Sequence, residues 1–330
     1  MKKILFALLL ISFISCKQDD SLTNYFSTNS TEVQVGGVKI IPITTPKGTF
    51  KVWTKRIGNN PKIKLLLLTG GPGLSHEYME CMESFLPKEG IEIIYYDQLG
   101  TGFSDNPNDT TMWDLPRYVE EVEQVRVALN LNKDNFYVLG HSWGGILGMQ
   151  YALKYQQNMK GLIISNMMAS CPEYVKYSKI LEKQMNPIVL KEIKAIESKK
   201  DYANPRYMEL LMSNFYNEHI LRMPINQWPE PVTRSMSKSN SSLYITMQGP
   251  SELGLSGKLT NWDVSKQLPS IAIPTLVIGA KYDTMNPEYM KWMSQQMPNG
   301  NYLYCSKGSH MCMYDDQKAY MDGLINFLKK

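Results

Sequence analysis

Histidine is scarce in this 330-residue chain, with four in all, and cysteine is hardly commoner, with five. No two cysteines form a C-x-x-C pair and none has metal-ligand spacing, which removes the usual zinc and thiol-redox arrangements; no metal or organic cofactor is expected. An excess of one charge is also missing. The 35 Lys and Arg against 31 Asp and Glu leave +4, without a basic stripe, so no nucleic-acid surface is expected. Internal repeats and low-complexity tracts are absent. Hydrophobic residues at 43% and charged residues at 20% are those of an ordinary folded protein, and the length suits one large domain or a domain carrying a sizeable insertion.

The longest apolar run sits at the start, in "MKKILFALLLISFISC". Two lysines, an apolar stretch too short to span a bilayer, then small polar residues are the pattern of a signal peptide, expected over residues 1–15. Its end, with Cys16 after Ser15, resembles the lipobox of bacterial lipoproteins, although Phe13 is unusual there. That resemblance implies acylation of Cys16, a lipid anchor to the membrane and a place in the bacterial cell envelope; simple secretion with an incidental cysteine is the alternative. The following "KQDD" is similar to an acidic surface-export signal of some Bacteroidetes lipoproteins. Residues 16–30 are polar and aperiodic, as a flexible tether would be. Cys81, Cys171, Cys305 and Cys312 are expected to be buried packing thiols, with one disulfide possible in an oxidising compartment.

From residue 31 the chain settles into an alternation. "EVQVGGVKIIPI" and "TFKVWTKRI" alternate as strands do, and "KIKLLLLTGGPG" and "IEIIYYDQLG" are apolar strands running into glycine-rich loops. Continuous apolar runs of this length belong to strands covered on both faces, hence to a parallel sheet. Helical spacing follows at Val119, Val122, Val125 and Leu129, then the strand "NFYVLG", an apolar helix, and the strand "MKGLIISN". The expected fold is α/β, a mostly parallel, doubly wound sheet. From about 169 to 264 the rhythm breaks into a Met-, Tyr-, Asn- and Pro-rich helical block, a lid between two core segments, 31–168 and 265–330.

The chemistry centres on "YVLGHSWGGIL". In Gly140-His141-Ser142-Trp143-Gly144 the chain leaves a strand and enters a helix through a sharp turn, where side chains at either glycine would collide with the neighbouring strand and helix. Such a turn lifts the Ser142 hydroxyl out of the sheet edge as a nucleophile. Serine needs a base and an orienting acid. On this architecture the order along the chain is Ser, acid, His, which sets aside His76 and His141, and His219 falls inside the lid. His310, after the last strand, is the expected base. Of Asp201, Asp263 and Asp283, only Asp283 directly follows a core strand, "IPTLVIGA"; it is the expected acid, with a helix N-cap as its alternative duty. Backbone donors for an oxyanion are expected from Trp143, at the helix start, and from Gly71 in "TGGPG".

"GGPG", "DQLGTGFSD", "GHSWGG" and "MQGPSELGLSGKLTNWDV", in that order, resemble the proline iminopeptidase family of α/β-hydrolases from about residue 35 onward. The resemblance implies the same triad, a serine aminopeptidase acting on short peptides with a free N-terminus, and lid carboxylates that bind the substrate's amine. Glu252 in "QGPSEL" matches one of these. The family's second glutamate often follows the catalytic aspartate directly; here Thr284 stands there, and Glu230 in "WPEP" and Glu77 in "SHEYM" are the carboxylates offered as replacements. Thr69 stands where the first motif usually has histidine. Met208, Met212, Phe215, Tyr216 and Trp228 are lid residues suited to packing or to lining a pocket, with packing favoured for each alone. The same triad on small acyl substrates would make an esterase or amidase, and a peptide-binding lipoprotein without catalysis is the remaining alternative.

Overall fold

The computed structural model describes residues 34–330 apart from Gly36. The signal peptide, Cys16 and the tether expected over residues 1–30 lie outside the described residues.

The first strands are β1 (Gln34–Val35), β2 (Val38–Thr45) and β3 (Gly48–Ile57). The others are β4 (Lys64–Leu68), β5 (Glu92–Asp97), β6 (Phe136–His141), β7 (Gly161–Ser165), β8 (Thr275–Ala280) and β9 (Gly300–Cys305). They form one sheet in the order β1-β2-β3-β5-β4-β6-β7-β8-β9. Pairing is antiparallel from β1 to β3 and between β3 and β5, and parallel for all the rest.

The central strands are buried on both faces. Every residue of β5, β6 and β8 is buried, which is why their sequences run apolar without alternation. The alternation persists in direction. Leu66, Leu68, Ile94, Val138 and Val277 pack into one core layer, while Leu65, Leu67, Ile93, Leu139 and Ile278 pack into the other. The first layer is closed by α1 (Leu115–Ala128), which presents Tyr118, Val119, Val122 and Val125, and by α2 (Trp143–Tyr155).

Between β7 and β8 lie five longer helices. They are α3 (Cys171–Glu182), α4 (Pro187–Ser198), α5 (Pro205–Leu211), α6 (Glu230–Ser237) and α7 (Ser241–Met247). The Asn and Pro content of this block has a local cause. Ser170, Asn186 and Asn204 each cap a helix through the side chain, with proline in the first turn of each. The core then resumes with β8, α8 (Pro287–Gln296), β9 and α9 (Gln317–Leu328). Asn286 caps α8, so that duty does not fall to Asp283. Cys81, Cys171, Cys305 and Cys312 are free thiols.

Because β4, β6, β8 and β9 run parallel, the loops that follow them, carrying Gly71, Ser142, Asp283 and His310, open on one edge of the sheet. The turn between β6 and α2 is the tightest of these. A Cβ on Gly140 would lie 2.0 Å from the Gly144 carbonyl oxygen, and one on Gly144 would lie 2.1 Å from the Leu68 carbonyl oxygen. Both obstacles are backbone and cannot swing aside. Gly140→Ala is therefore expected to destabilise the fold by about 3 kcal/mol or more, read as a lowered urea midpoint at unchanged slope.

Candidate active site

Ser142 stands between β6 and α2 with φ 56° and ψ −125°. A non-glycine residue in that region stores roughly 1–3 kcal/mol of strain and persists only where its surroundings impose it. Here the Ser142 N–H donates to Ser165 O at 3.0 Å, and its carbonyl accepts Gly145 N–H at 2.7 Å. Its hydroxyl does not cap α2, so the oxygen stays available for chemistry.

His310 sits past β9 with its backbone held by the helical block. Its N–H donates to His219 O at 2.9 Å, and Met311 N–H donates to Ile220 O at 2.8 Å. His310 Nδ1 lies 2.7 Å from Asp283 Oδ1. Burial pushes the imidazole pKa down, but the charge and hydrogen bond of Asp283, with smaller help from Glu252 and Asp315, outweigh it and leave it above the ordinary value. The other histidines have separate partners. His76 Nδ1 is 3.0 Å from Asp97 Oδ1, and His219 Nδ1 donates to Tyr282 O at 2.8 Å.

Asp283 is fully buried and held from both sides. Oδ1 also accepts Met285 N–H at 3.1 Å, and Oδ2 accepts Asn166 Nδ2 at 2.7 Å. Nothing in the sequence pattern singles out Asn166. It follows β7 with φ 55°, and its Oδ1 accepts the Ser165 hydroxyl at 2.8 Å and the Cys312 thiol at 3.3 Å. Two donors on that oxygen fix which way the amide faces, so the NH₂ must point at Asp283. Thr284 is buried beside the pair, its hydroxyl 3.4 Å from both Asp283 Oδ1 and His310 Nδ1. It does not line the cavity, so this position supplies no amine ligand and packs against the acid–base pair instead.

Gly71 has φ 104°, and a Cβ there would fall 2.7 Å from Gly73 N. Gly70 N–H is already donated to the Tyr78 hydroxyl at 2.7 Å, and Gly71, unlike Gly73, lines the cavity that holds Ser142, so its amide is the one placed to be offered there. Thr69 supports the loop, its hydroxyl donating to Leu74 O at 3.0 Å. Trp143 is the first residue of α2, where backbone N–H groups lack helical partners. Its indole is buried and donates to Gln98 Oε1 at 2.8 Å.

Ser142, His310, Gly70 and Gly71 share a cavity of about 500 Å³ with residues of the helical block. Met208, Met212, Tyr216 and Trp228 line it, whereas Phe215 is fully buried and packs inward. Tyr216, Trp228 and Met212 also pack in or against the second core layer, so for these three the packing favoured from sequence and the lining of a pocket go together. Glu252 is the one carboxylate among the described lining residues. Its Oε1 accepts Tyr244 OH at 2.6 Å and its Oε2 accepts Tyr174 OH at 3.2 Å. Burial and the Glu252 charge raise both phenols well above their ordinary pKa, so they remain donors.

Glu77 and Glu230 require correction as substitute amine ligands. Neither lines the cavity. Glu77 is buried against Lys238 Nζ at 2.5 Å and Arg234 Nη1 at 3.3 Å. Burial opposes its ionisation, but Lys238 and Ser75 outweigh that and hold its pKa below the usual carboxylate value. Glu230 is largely exposed and pairs with Arg234 Nε at 2.9 Å. Their carboxylates already have cations. Thr233, Met236 and Ser237 of α6 line the cavity, and the pairing of Arg234 and of Lys238, just past the helix end, with Glu77 and Glu80 pins the helix that forms part of its wall.

A strained serine at a strand–helix turn, an Asp–His pair on the same sheet edge and a helical cover define the class, the α/β hydrolase fold, whose family model matches residues 64–317. Within that class the chain is 60% identical over 292 residues to the proline iminopeptidase of Elizabethkingia meningoseptica, covering 88% of this chain and 97% of that one. It is 59% identical over 290 residues to that of Flavobacterium johnsoniae, with the same coverage. The crystal structure of the Mycobacterium smegmatis proline iminopeptidase superposes with a TM-score of 0.76 at 26% identity, covering 87% of this chain and 97% of that one. The chain belongs to the proline iminopeptidase family.

Asn166→Gly keeps a backbone suited to φ 55° and removes only the amide. Losing a hydrogen bond to a buried carboxylate costs roughly 1.5–3 kcal/mol, so kcat is expected to fall about tenfold or more at unchanged KM, measured by steady-state hydrolysis.

Proposed function

We propose that this protein is a serine aminopeptidase that releases an N-terminal residue, proline or a small apolar one, from short peptides. One observation carries the reading. Ser142, His310 and Glu252, the one carboxylate among the described lining residues, share one largely apolar cavity. A cationic amine entering a partly dry pocket needs an anion, and Glu252 is the anion available. The tyrosine hydroxyls on its two oxygens hold it in place without neutralising it.

In the proposed mechanism Ser142 Oγ attacks the carbonyl carbon of the first residue while His310 takes the hydroxyl proton. Asp283 holds the imidazole in the required tautomer and stabilises the imidazolium. The amides of Gly71 and Trp143 receive the oxyanion. As the C–N bond breaks, His310 returns its proton to the leaving amine, and a water activated by the same imidazole hydrolyses the acyl-enzyme. Residues 169–264 act as a lid between the core segments 31–168 and 265–330. The proline iminopeptidase relatives, at 59–60% identity over most of the chain, support this substrate class.

The test is chromophore release from aminoacyl arylamides of Pro, Ala, Leu and Phe, each beside its N-acetylated twin. Cleavage confined to free-amine Pro or Ala is expected; activity indifferent to acetylation would replace the peptidase by an esterase or amidase. Glu252→Gln is expected to lose at least about tenfold more rate on the free-amine substrate than on a simple ester, because only the former places a charge against it. The same variant removes one anion facing His310, which weakens the imidazolium and lowers its pKa. The acid limb of ester hydrolysis, which requires neutral His310, is expected to move to lower pH.

We further propose that residues 1–15 are a signal peptide and that Cys16 is acylated, anchoring the enzyme in a bacterial envelope. The support is the sequence itself, Lys2 and Lys3 ahead of a short apolar run that ends at Ser15-Cys16. Cells expressing the full chain and fed an alkyne fatty acid are expected to yield labelled protein in the membrane fraction. Cys16→Ser is expected to abolish the label and release the protein to the soluble fraction.

A further inference from the structure

The imidazole of His141, one residue before Ser142, lies in the middle of a hydrogen-bond chain that the proposed mechanism leaves unused. Its Nε2 is 2.8 Å from the backbone carbonyl oxygen of His310, and its Nδ1 is 3.0 Å from the Tyr78 hydroxyl. That hydroxyl in turn accepts the N–H of Gly70 at 2.7 Å. Tyr78 and His141 are both almost wholly buried.

Donor and acceptor are determined at every link. A carbonyl oxygen only accepts, so His141 Nε2 carries the hydrogen. Burial, reinforced by the charge of neighbouring His310, pushes the His141 imidazole down to about 3, so the ring is neutral and Nδ1 is a bare acceptor. The Tyr78 O–H must therefore donate to Nδ1, and its oxygen is free to take the Gly70 N–H. Burial raises the Tyr78 phenol well above its ordinary value, so the proton that this link needs stays in place.

The consequence is mechanical. Gly70 is gripped at its amide by Tyr78, and its carbonyl accepts Leu74 N–H at 3.4 Å. That carbonyl shares a peptide plane with the N–H of Gly71, so the grip fixes where the Gly71 N–H points. At the other end of the chain, the His310 carbonyl fixes the backbone of the residue facing Asp283. Glycines at 70 and 71 would otherwise leave this plane loosely defined.

We propose that Tyr78 and His141 are positioning residues that tie the Gly71 amide to the His310 loop through one directed hydrogen-bond chain, setting the oxyanion donor relative to the base. The proposal rests on Ser142 being the nucleophile, and the experiment separates the two. A fluorophosphonate reports on Ser142 whatever the natural substrate, because Oγ displaces fluoride at phosphorus while the phosphoryl oxygen occupies the oxyanion position. Wild type that fails to label would overturn the serine-hydrolase reading itself.

Given labelling of wild type, Tyr78→Phe is expected to label roughly tenfold more slowly, about 1.4 kcal/mol in barrier, and to lower kcat on the turned-over substrate by a similar factor with KM within about twofold. His141→Leu removes donor and acceptor together and is expected to match it. His141→Gln keeps an N–H and a carbonyl oxygen and is expected to recover part of the rate. The Tyr78→Phe/His141→Leu double variant is expected to be no slower than the slower single one, as for two links of one chain. Wild-type labelling by Tyr78→Phe would overturn the proposal. So would losses that multiply in the double variant, or a His141→Gln protein no faster than His141→Leu.

Discussion

The turn at Ser142 is the constraint to which the rest of the site is fitted. Its backbone departs from the allowed regions of ordinary residues, and the geometry exists only because β6 and α2 approach to contact distance across Gly140 and Gly144. That closeness does more than expose a hydroxyl. It brings the β4 end, with the Gly70–Gly71 loop beyond it, against the start of α2, so two strands that are neighbours in the sheet also become neighbours at the site. The cost of the strain, of order 1–3 kcal/mol, is met by the doubly covered sheet beneath, where residues such as Leu66, Val138, Ile164 and Val277 each contribute roughly 1.5–3 kcal/mol on burial. A loosely packed sheet could not hold that turn.

Much of this was legible in the sequence because it is written in features that work locally. Strands buried on both faces need unbroken apolar runs, helices need apolar residues three and four apart, and a strand–helix turn of this sharpness needs glycine at both flanks. Ser142, Asp283 and His310 could be selected because each directly follows one of the strands so recognised. Asn166 stands in the same kind of place, after β7, yet no chemistry singles out an asparagine there until its two hydrogen-bonded sides are seen. The Tyr78–His141 chain is less visible still, since it joins positions 70, 78, 141 and 310, and one of its four members is a backbone carbonyl, which every residue possesses.

The carboxylates show the same limit from the other side. The family resemblance put Glu252 forward as an amine ligand, and Glu77 and Glu230 were offered only as replacements for the missing second acid. What separates them is which cations lie nearby in space. Arg234 and Lys238 project from α6 toward Glu77 and Glu80, and Arg234 reaches Glu230 as well. Those contacts were not predictable from position in the chain, because Glu77 and Lys238 are 161 residues apart. Glu252 is set apart by having phenols rather than cations around it. A carboxylate paired to arginine has little field left to offer a ligand, whereas one held by neutral hydroxyls keeps its full charge.

That distinction bears on how an amine would be recognised in the absence of a second acid at Thr284. With two carboxylates, repulsion between them must be offset by the incoming cation or by fixed positive charge nearby. A single carboxylate avoids that repulsion and can be buried more deeply, provided its own oxygens are satisfied while no ligand is bound. Tyr174 and Tyr244 meet that condition at Glu252, whose backbone N–H donates to the Tyr216 hydroxyl oxygen at 3.3 Å. The threonine in place of the second acid then has a positive consequence. A carboxylate buried 3.4 Å from His310 Nδ1 would compete with Asp283 for the imidazole, whereas a hydroxyl there leaves the Asp283–His310 pair undivided.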